Sequence, residues 1–391
     1  MNLAQKLLHR VRELVPVVGF HFDRPIVLLQ SDDWGRVGLR DQEGLEQLRS
    51  AGLVLGERPY DFYTLETADD LSALSSLLKR HRDSRGCNLC MEMNFVPSNL
   101  DFAKMSGDDY RQIHLLPLAE GLPGSWSRPG LLDAYREGIA DGVFYPALHG
   151  STHFCRPAVE RNLAKDDRVD LIRTLWQAGT PYIHWRMPWI GYEYWDPEQL
   201  EDERFLSAEM QRDLIGHTLG AFAKLFSTLP RSACAPGYRA NNVTHGAWAQ
   251  HGVRVAQNGP GAFVPPHFDS YGILHLYRTV ILEPAVDPAF SMDACWRQAE
   301  RCFELGIPAI VSVHSINFHS TVRDFRSTAL RSLDEFLTGL ESKHADLMYL
   351  HDENLYELVN KGSYTTRQGT AQVNVIRKNF RKAELPRQQE A

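Results

Sequence analysis

Apolar runs and helical stretches alternate along the whole 391-residue chain and predict an α/β fold: one distorted or incomplete (β/α) barrel, a single domain with insertions. Runs such as "PIVLLQ" (Pro25–Gln30) and "PAIVSVHSINF" carry β-branched residues and leucines without polar alternation, as strands buried on both faces do. Polar residues capable of chemistry recur just after these runs, at the strand ends where such folds place their active sites. Length alone allows two or three domains, but barrels of this size commonly form one unit.

The elements follow in order. Helices are expected near Gln42–Ala51 and Ala68–Arg82, then the strand "NLCMEMNF", then a polar, Pro- and Gly-rich insertion from Val96 to Gly130. "VFYPALHG" is a strand running into a loop, followed by a helix near Ala158–Gln177 and the aromatic segment "YIHWRMPWIGYEYW". A helix near Leu206–Leu225 leads to "SACAPGYRANN", and strands follow at "VRVAQNG", "LYRTVIL" and "PAIVSVHSINF". The helix Ala294–Leu305 separates the last two, and a helix at Asp324–Glu341, the strand "DLMYLH" and the helix "DENLYELV" close the pattern. Residues 1–20 read as an amphipathic helix with Leu3, Leu7, Val11 and Leu14 on one face. That stripe is expected to dock on the protein's own body rather than on a membrane surface. Residues 21–365 form the barrel domain, and 366–391, with six Lys/Arg against two Glu, a loosely held basic tail.

The chain is 43% hydrophobic and 23% charged, as soluble globular proteins are. A formal net charge of −7 leaves no global basic field to recruit nucleic acid. No run of 18 apolar residues suggests a membrane span, and the first residues lack the pattern of a secretion signal, so a cytoplasmic location is expected. The six cysteines are then expected as reduced thiols. "CNLC" (Cys87–Cys90) has metal-ligand spacing, but no second such pair completes a site.

The residues just after the apolar runs form a coherent set: Asp32 and Asp33; His149 and His153; Pro236, Gly237, Tyr238 and Arg239; His314, Asn317 and His319. One aspartate and two histidines make a facial ligand set that leaves positions open for water and substrate. Alone, each feature has a plain structural reading: an Asp-Asp pair caps turns, and a strand histidine satisfies a core hydrogen bond. Their order and joint position carry the signal.

In that order, "SDDW", "HGSTH", "APGY" and "VSVH" resemble the motifs of the NodB-homology polysaccharide deacetylases, over about Ile26 to Val359. The resemblance implies a metal-dependent hydrolase of amide bonds that removes acetyl from an N-acetylated sugar or glycan precursor. It implies one divalent ion, zinc before nickel or cobalt, held by Asp33, His149 and His153. It further implies Asp32 as general base, His314 as the acid that protonates the departing amine, and a backbone N–H near Gly237–Tyr238 as oxyanion donor. Tyr238 and Arg239 join the catalytic set, and Trp34, Trp185, Arg186, Trp189 and Asn317 the substrate-binding set. The aromatic segment is either a sugar subsite or a satellite core. Hydrolysis of another amide, cyclic amide or imide, and a non-catalytic sugar-binding homologue, are the alternative readings.

The chain departs from the motif pattern at three points. Gly150 stands where a small hydroxylated residue is usual. Cys234 replaces the arginine of the third motif, leaving Arg239 or Arg186 to orient Asp32. No aspartate clearly matches the one that orients the acid histidine, for which Asp269 is the candidate.

Overall fold

The computed structural model describes residues 16–381. Its centre is a parallel row of strands ordered Ala309–His314, Ile26–Trp34, Met91–Phe95, Phe144–Leu148, Ser232–Cys234, Val255–Asn258 and Leu274–Tyr277. The chain from 274 to 281 serves both ends of this row. Leu274–Tyr277 pairs with Val255–Asn258, while Val280–Ile281 pairs with Val311 and Ser312 of the opposite edge. Both edges are thus hydrogen-bonded to the same stretch of chain.

Both faces of the strands are covered, as the continuous apolar runs predict. Val27, Leu29, Met91 and Val311 pack under the flanking helices, while Ile26, Leu28 and Ile310 join a second cluster with Phe20, Phe22 and Leu355. Nearer the strand ends the buried residues turn polar: Gln30, Asp32, Glu92, Asn94, Gln257 and Asp352 are all shielded from solvent. They satisfy one another, with the Gln30 and Gln257 amides each donating to Asp352 at 2.8 Å. Burial and the neighbouring Asp352 raise the pKa of Glu92, so its carboxyl resists ionisation.

Several expectations need correction. The helix expected over 1–20 falls largely outside the described residues, and Pro16–Phe22 at its end is a strand instead. Val17 and Val18 favour extended backbone, and Phe20 and Phe22 alternate into the core. This strand pairs antiparallel with Val375–Arg381, so the tail expected to be loosely held is a strand over those residues. The single helix expected near Ala158–Gln177 is two, Arg156–Asn162 and Asp166–Gln177. The insertion contains a small hairpin, Ser98–Leu100 with Leu115–Pro117, and a short helix Phe102–Gly107. All six cysteines are buried, and none forms a disulfide.

The helix Leu131–Asp141 follows that insertion and packs Gly138 directly on the Phe144 ring, leaving no room for a Cβ. In an exposed helix interior, Gly→Ala stabilises by about 1 kcal/mol. Gly216→Ala, in the helix Ala208–Phe226 with open space around it, should follow that rule. Gly138→Ala should instead destabilise by about 1–3 kcal/mol. Urea denaturation of the two variants checks the opposite signs.

Candidate active site

The strand Ile26–Trp34 loses its regular register with Met91–Phe95 between Ser31 and Trp34. Asp33 there adopts φ 74°, a left-handed conformation uncommon outside glycine. The irregularity re-aims consecutive side chains, so that Asp32 and Asp33 both line the cleft. Trp34 points the other way. It is fully buried and stacks on Phe318 with ring centroids 6.0 Å apart, which removes it from the substrate-binding set.

Asp33, His149 and His153 converge. Asp33 Oδ1 lies 3.6 Å from His149 Nε2 and 3.3 Å from His153 Nε2. His149 Nδ1–H donates to the Cys234 carbonyl at 2.9 Å, which leaves the lone pair on Nε2. Burial drives both imidazoles below their ordinary pKa, and the nearby Arg36 adds to this for His153. A carboxylate oxygen and two neutral imidazoles therefore face one another, and the buried Oδ1 has no hydrogen-bond partner among the described residues. Such a set fits a divalent cation of the zinc, nickel or cobalt type. Arg36 binds the other oxygen, Oδ2, at 3.1 Å, and so leaves Oδ1 for the ion.

The loop carrying the histidines is held by Glu193. Its buried carboxylate accepts the N–H groups of Ser151, Thr152 and His153 at 2.9, 3.0 and 3.1 Å. Gly150, with φ 67°, runs so close to Pro236 and Glu193 that a Cβ would stand 2.9 and 3.0 Å from them. That contact accounts for glycine where the motif usually has a hydroxylated residue.

Asp32 is occupied differently. Arg278 grips it with two parallel bonds, Nη2 to Oδ1 and Nη1 to Oδ2, both 2.6 Å, and Asn94 donates to Oδ1 at 2.7 Å. Burial raises the proton affinity of Asp32, but the charge and hydrogen bonds of Arg278, with the charge of His314, outweigh it and hold the carboxyl well below the usual range. The arginine that holds Asp32 is thus Arg278 from "LYRTVIL", not the expected Arg239 or Arg186. Cys234, beside Asp32, has its thiol pKa raised by burial and by that carboxylate, and both Asp32 oxygens are taken by Arg278, so the Asp32–His149–Cys234 group is the poorer ligand set.

His314 is paired in register with Asp32, and its Nε2 stands 3.8 Å from Asp32 Oδ2. Its Nδ1 meets Glu283 at 2.6 Å. Burial lowers the pKa of His314, but Glu283 and the two aspartates more than offset this and raise it to about 9. Glu283 therefore orients His314. Asp269 does not: it meets His275 at 3.2 Å, in a separate cluster with His245. Asp269 Oδ2 also stands 3.8 Å from His245 Nδ1, and these three residues form a second group of possible ligands away from the cleft.

Asp32, Asp33, His149, His153 and His314 line a cleft of about 610 Å³ walled by Tyr60, Tyr63, Trp185 and Tyr192. Tyr238 closes one side, its hydroxyl accepting from Arg278 at 2.9 Å, while its backbone N–H is already donated to Ala235. That spent N–H removes Tyr238 from the expected Gly237–Tyr238 oxyanion pair and leaves Gly237, which lines the cleft. Arg239 lines the cleft but lies over Trp195, 4.7 Å from the ring centre. Asn317 is fully buried and donates to Glu283 at 2.5 Å, so it positions that carboxylate rather than touching substrate. Trp189 lies outside the cleft lining, beneath Arg168, and His319 is buried against Glu66. Arg186 stands behind Trp185 rather than in the cleft.

No protein-family model and no curated protein matches this chain. Among solved structures it is similar to a protein from Mycobacterium smegmatis described as a polysaccharide deacetylase, with TM-score 0.48 and 12% identity over 89% of this chain and 95% of that one. It is also similar to a probable polysaccharide deacetylase from Pseudomonas aeruginosa, with TM-score 0.46 and 12% identity over 87% and 92%. A family 4 carbohydrate esterase from Streptomyces lividans gives 0.33 and 13% over 84% and 92%. At these scores the likeness carries no part of the functional reading, which rests on the distances above.

Breaking a buried ion pair from one side leaves a stranded charge and costs about 3–5 kcal/mol. Arg278→Met should destabilise on that scale by stranding Asp32. In an Asp32→Asn background the same change should cost much less, and a double-mutant cycle by chemical denaturation measures the difference.

Proposed function

We propose that the chain is a metal-dependent hydrolase that removes the acetyl group from an N-acetylated sugar, on a distorted, incomplete (β/α) barrel. The observation that supports this most is the convergence of Asp33 Oδ1 and the Nε2 atoms of His149 and His153 beside Asp32 and His314. Asp33, His149 and His153 would hold the ion, zinc before nickel or cobalt. A divalent cation there supplies Lewis acidity to the amide carbonyl and to the attacking water. Arg278 keeps the proton affinity of Asp32 low, so Asp32 serves as base only toward water of that raised acidity. His314, held as imidazolium by Glu283, donates its proton to the departing amine nitrogen. The amide C–N bond breaks, acetate and the free amine leave, and Asp32 and His314 return to their starting protonation through solvent.

Asp32→Asn and His314→Ala should each lose about 10²–10⁴-fold in rate while keeping the ion. Asp33→Asn, His149→Ala and His153→Ala should lose the ion itself. Elemental analysis paired with acetate release from N-acetylated sugars separates the two groups. Equal metal loss in Asp32→Asn and Asp33→Asn would contradict the division between the neighbours.

The acid role also fixes a pH dependence. His314 must be protonated, so activity should fall on the alkaline side as pH rises through about 9. Glu283→Gln deletes the charge that raises this pKa and should move that limb toward the ordinary histidine range, to lower pH. A limb that stays in place in the pH–rate profile would remove Glu283 from this role.

A further inference from the structure

The protein as a whole is acidic, with a formal net charge of −7, yet its cleft gathers arginines. Arg36, Arg58 and Arg239 line it. Arg58 and Arg186 each place the guanidinium carbon 4.2 Å from the centre of the Trp185 ring. Arg239 and Arg204 lie 4.7 and 5.5 Å from that of Trp195. Stacking on an aromatic ring holds a guanidinium in place but does not neutralise it. Arg58, Arg186 and Arg204 meet no carboxylate among the described residues.

Three of the four carboxylates around the same space are matched by a cation, and the fourth, Asp61, keeps its charge on the wall beside Trp185. Asp32 is gripped by Arg278 and Asp33 by Arg36. Asp61 accepts the N–H groups of Gly56, Glu57 and Arg58 on one oxygen and the Trp185 indole N–H on the other. Glu283 is held by His314 and Asn317. Burial lowers the pKa of Arg239, Tyr192 raises it and the nearby Arg204 lowers it again. Excess positive charge in a concave, partly desolvated site concentrates anions there. Arg58, which lines the cleft over Trp185, also competes for the ring that a neutral sugar would stack on, so this wall offers charge beside its aromatic face.

We propose that the cleft selects an anionic N-acetylated sugar, one bearing a carboxylate or phosphate besides the acetamido group. The inference rests on the hydrolase reading for the reacting end of the substrate only. Arg58, the exposed member on the cleft wall, would meet the anionic group, with Arg239 adding to the field.

Calorimetric binding to the full-length protein tests this with three probes: N-acetylglucosamine, its 1-phosphate, and the corresponding 6-carboxylate. At low salt, at least one anion should bind about tenfold or more tightly than the neutral sugar. The advantage should shrink as ionic strength rises from about 0.02 M to about 0.5 M, and the better anion identifies the group recognised. Arg58→Ala should remove most of the preference and Arg58→Lys should keep part of it, circular dichroism confirming that both remain folded. Equal binding of all three probes, undetectable binding of both anions, or a preference untouched in Arg58→Ala and Arg239→Ala would overturn the proposal. Acetate release from neutral sugars with no preference for anions removes this inference and leaves the hydrolase reading. A preference for anions without any acetate release does the reverse.

Discussion

Two carboxylates on neighbouring residues, both buried, must stay charged without forcing each other apart, and the rest of the site depends on how this is met. Like charges about 4 Å apart cost about 4 kcal/mol at an effective dielectric of about 20, a sizeable part of a domain's net stability. The structure assigns each aspartate its own cation. Arg278 takes both oxygens of Asp32, whereas Arg36 takes only one oxygen of Asp33. The difference in grip sets the difference in role. A carboxylate held on both sides is a fixed charge of low proton affinity, and one held on a single side keeps an oxygen free to ligate.

The chain from 274 to 283 links this electrostatics to the fold. It pairs with both edges of the parallel row, and it carries Arg278 to Asp32 and Glu283 to His314. Backbone strain concentrates nearby: Asp33, His153 and Tyr238 all have positive φ, in conformations that surrounding contacts must enforce. Glu193 provides such contacts for the histidine loop by collecting three of its N–H groups. A histidine ligand aimed by its backbone in this way pays little reorganisation cost when an ion binds.

How much of this was legible in the sequence varied with the range of the cause. The alternation of strands and helices, and Asp32, Asp33, His149, His153 and His314 at strand ends, depended on local pattern and could be read directly. Arg278 and Glu283 also follow apolar runs, "ILHLY" and "TVIL", and that position was the available signal. Their partners, however, lie 246 and 31 residues away, and only the folded sheet shows that they meet. Trp34 could not be placed from sequence because one irregular register step decides whether it faces the cleft or the core. Residues 16–20 were read as the end of a helix because the partner of their strand lies more than 350 residues further on, beyond the reach of any local periodicity. Trp185 belongs to the same class: its aromatic identity was evident, but the two arginines over it were not.

The central claim is that Asp33, His149 and His153 hold a cation while Asp32, gripped by Arg278, does not. The most direct measurement is anomalous X-ray scattering from crystals of the protein grown or soaked with zinc. The account predicts one strong peak within bonding distance of Asp33 Oδ1 and the Nε2 atoms of His149 and His153, with the Arg278–Asp32 pair intact. A peak bridging Asp32 and Cys234, or occupancy only at His245, Asp269 and His275, would contradict it.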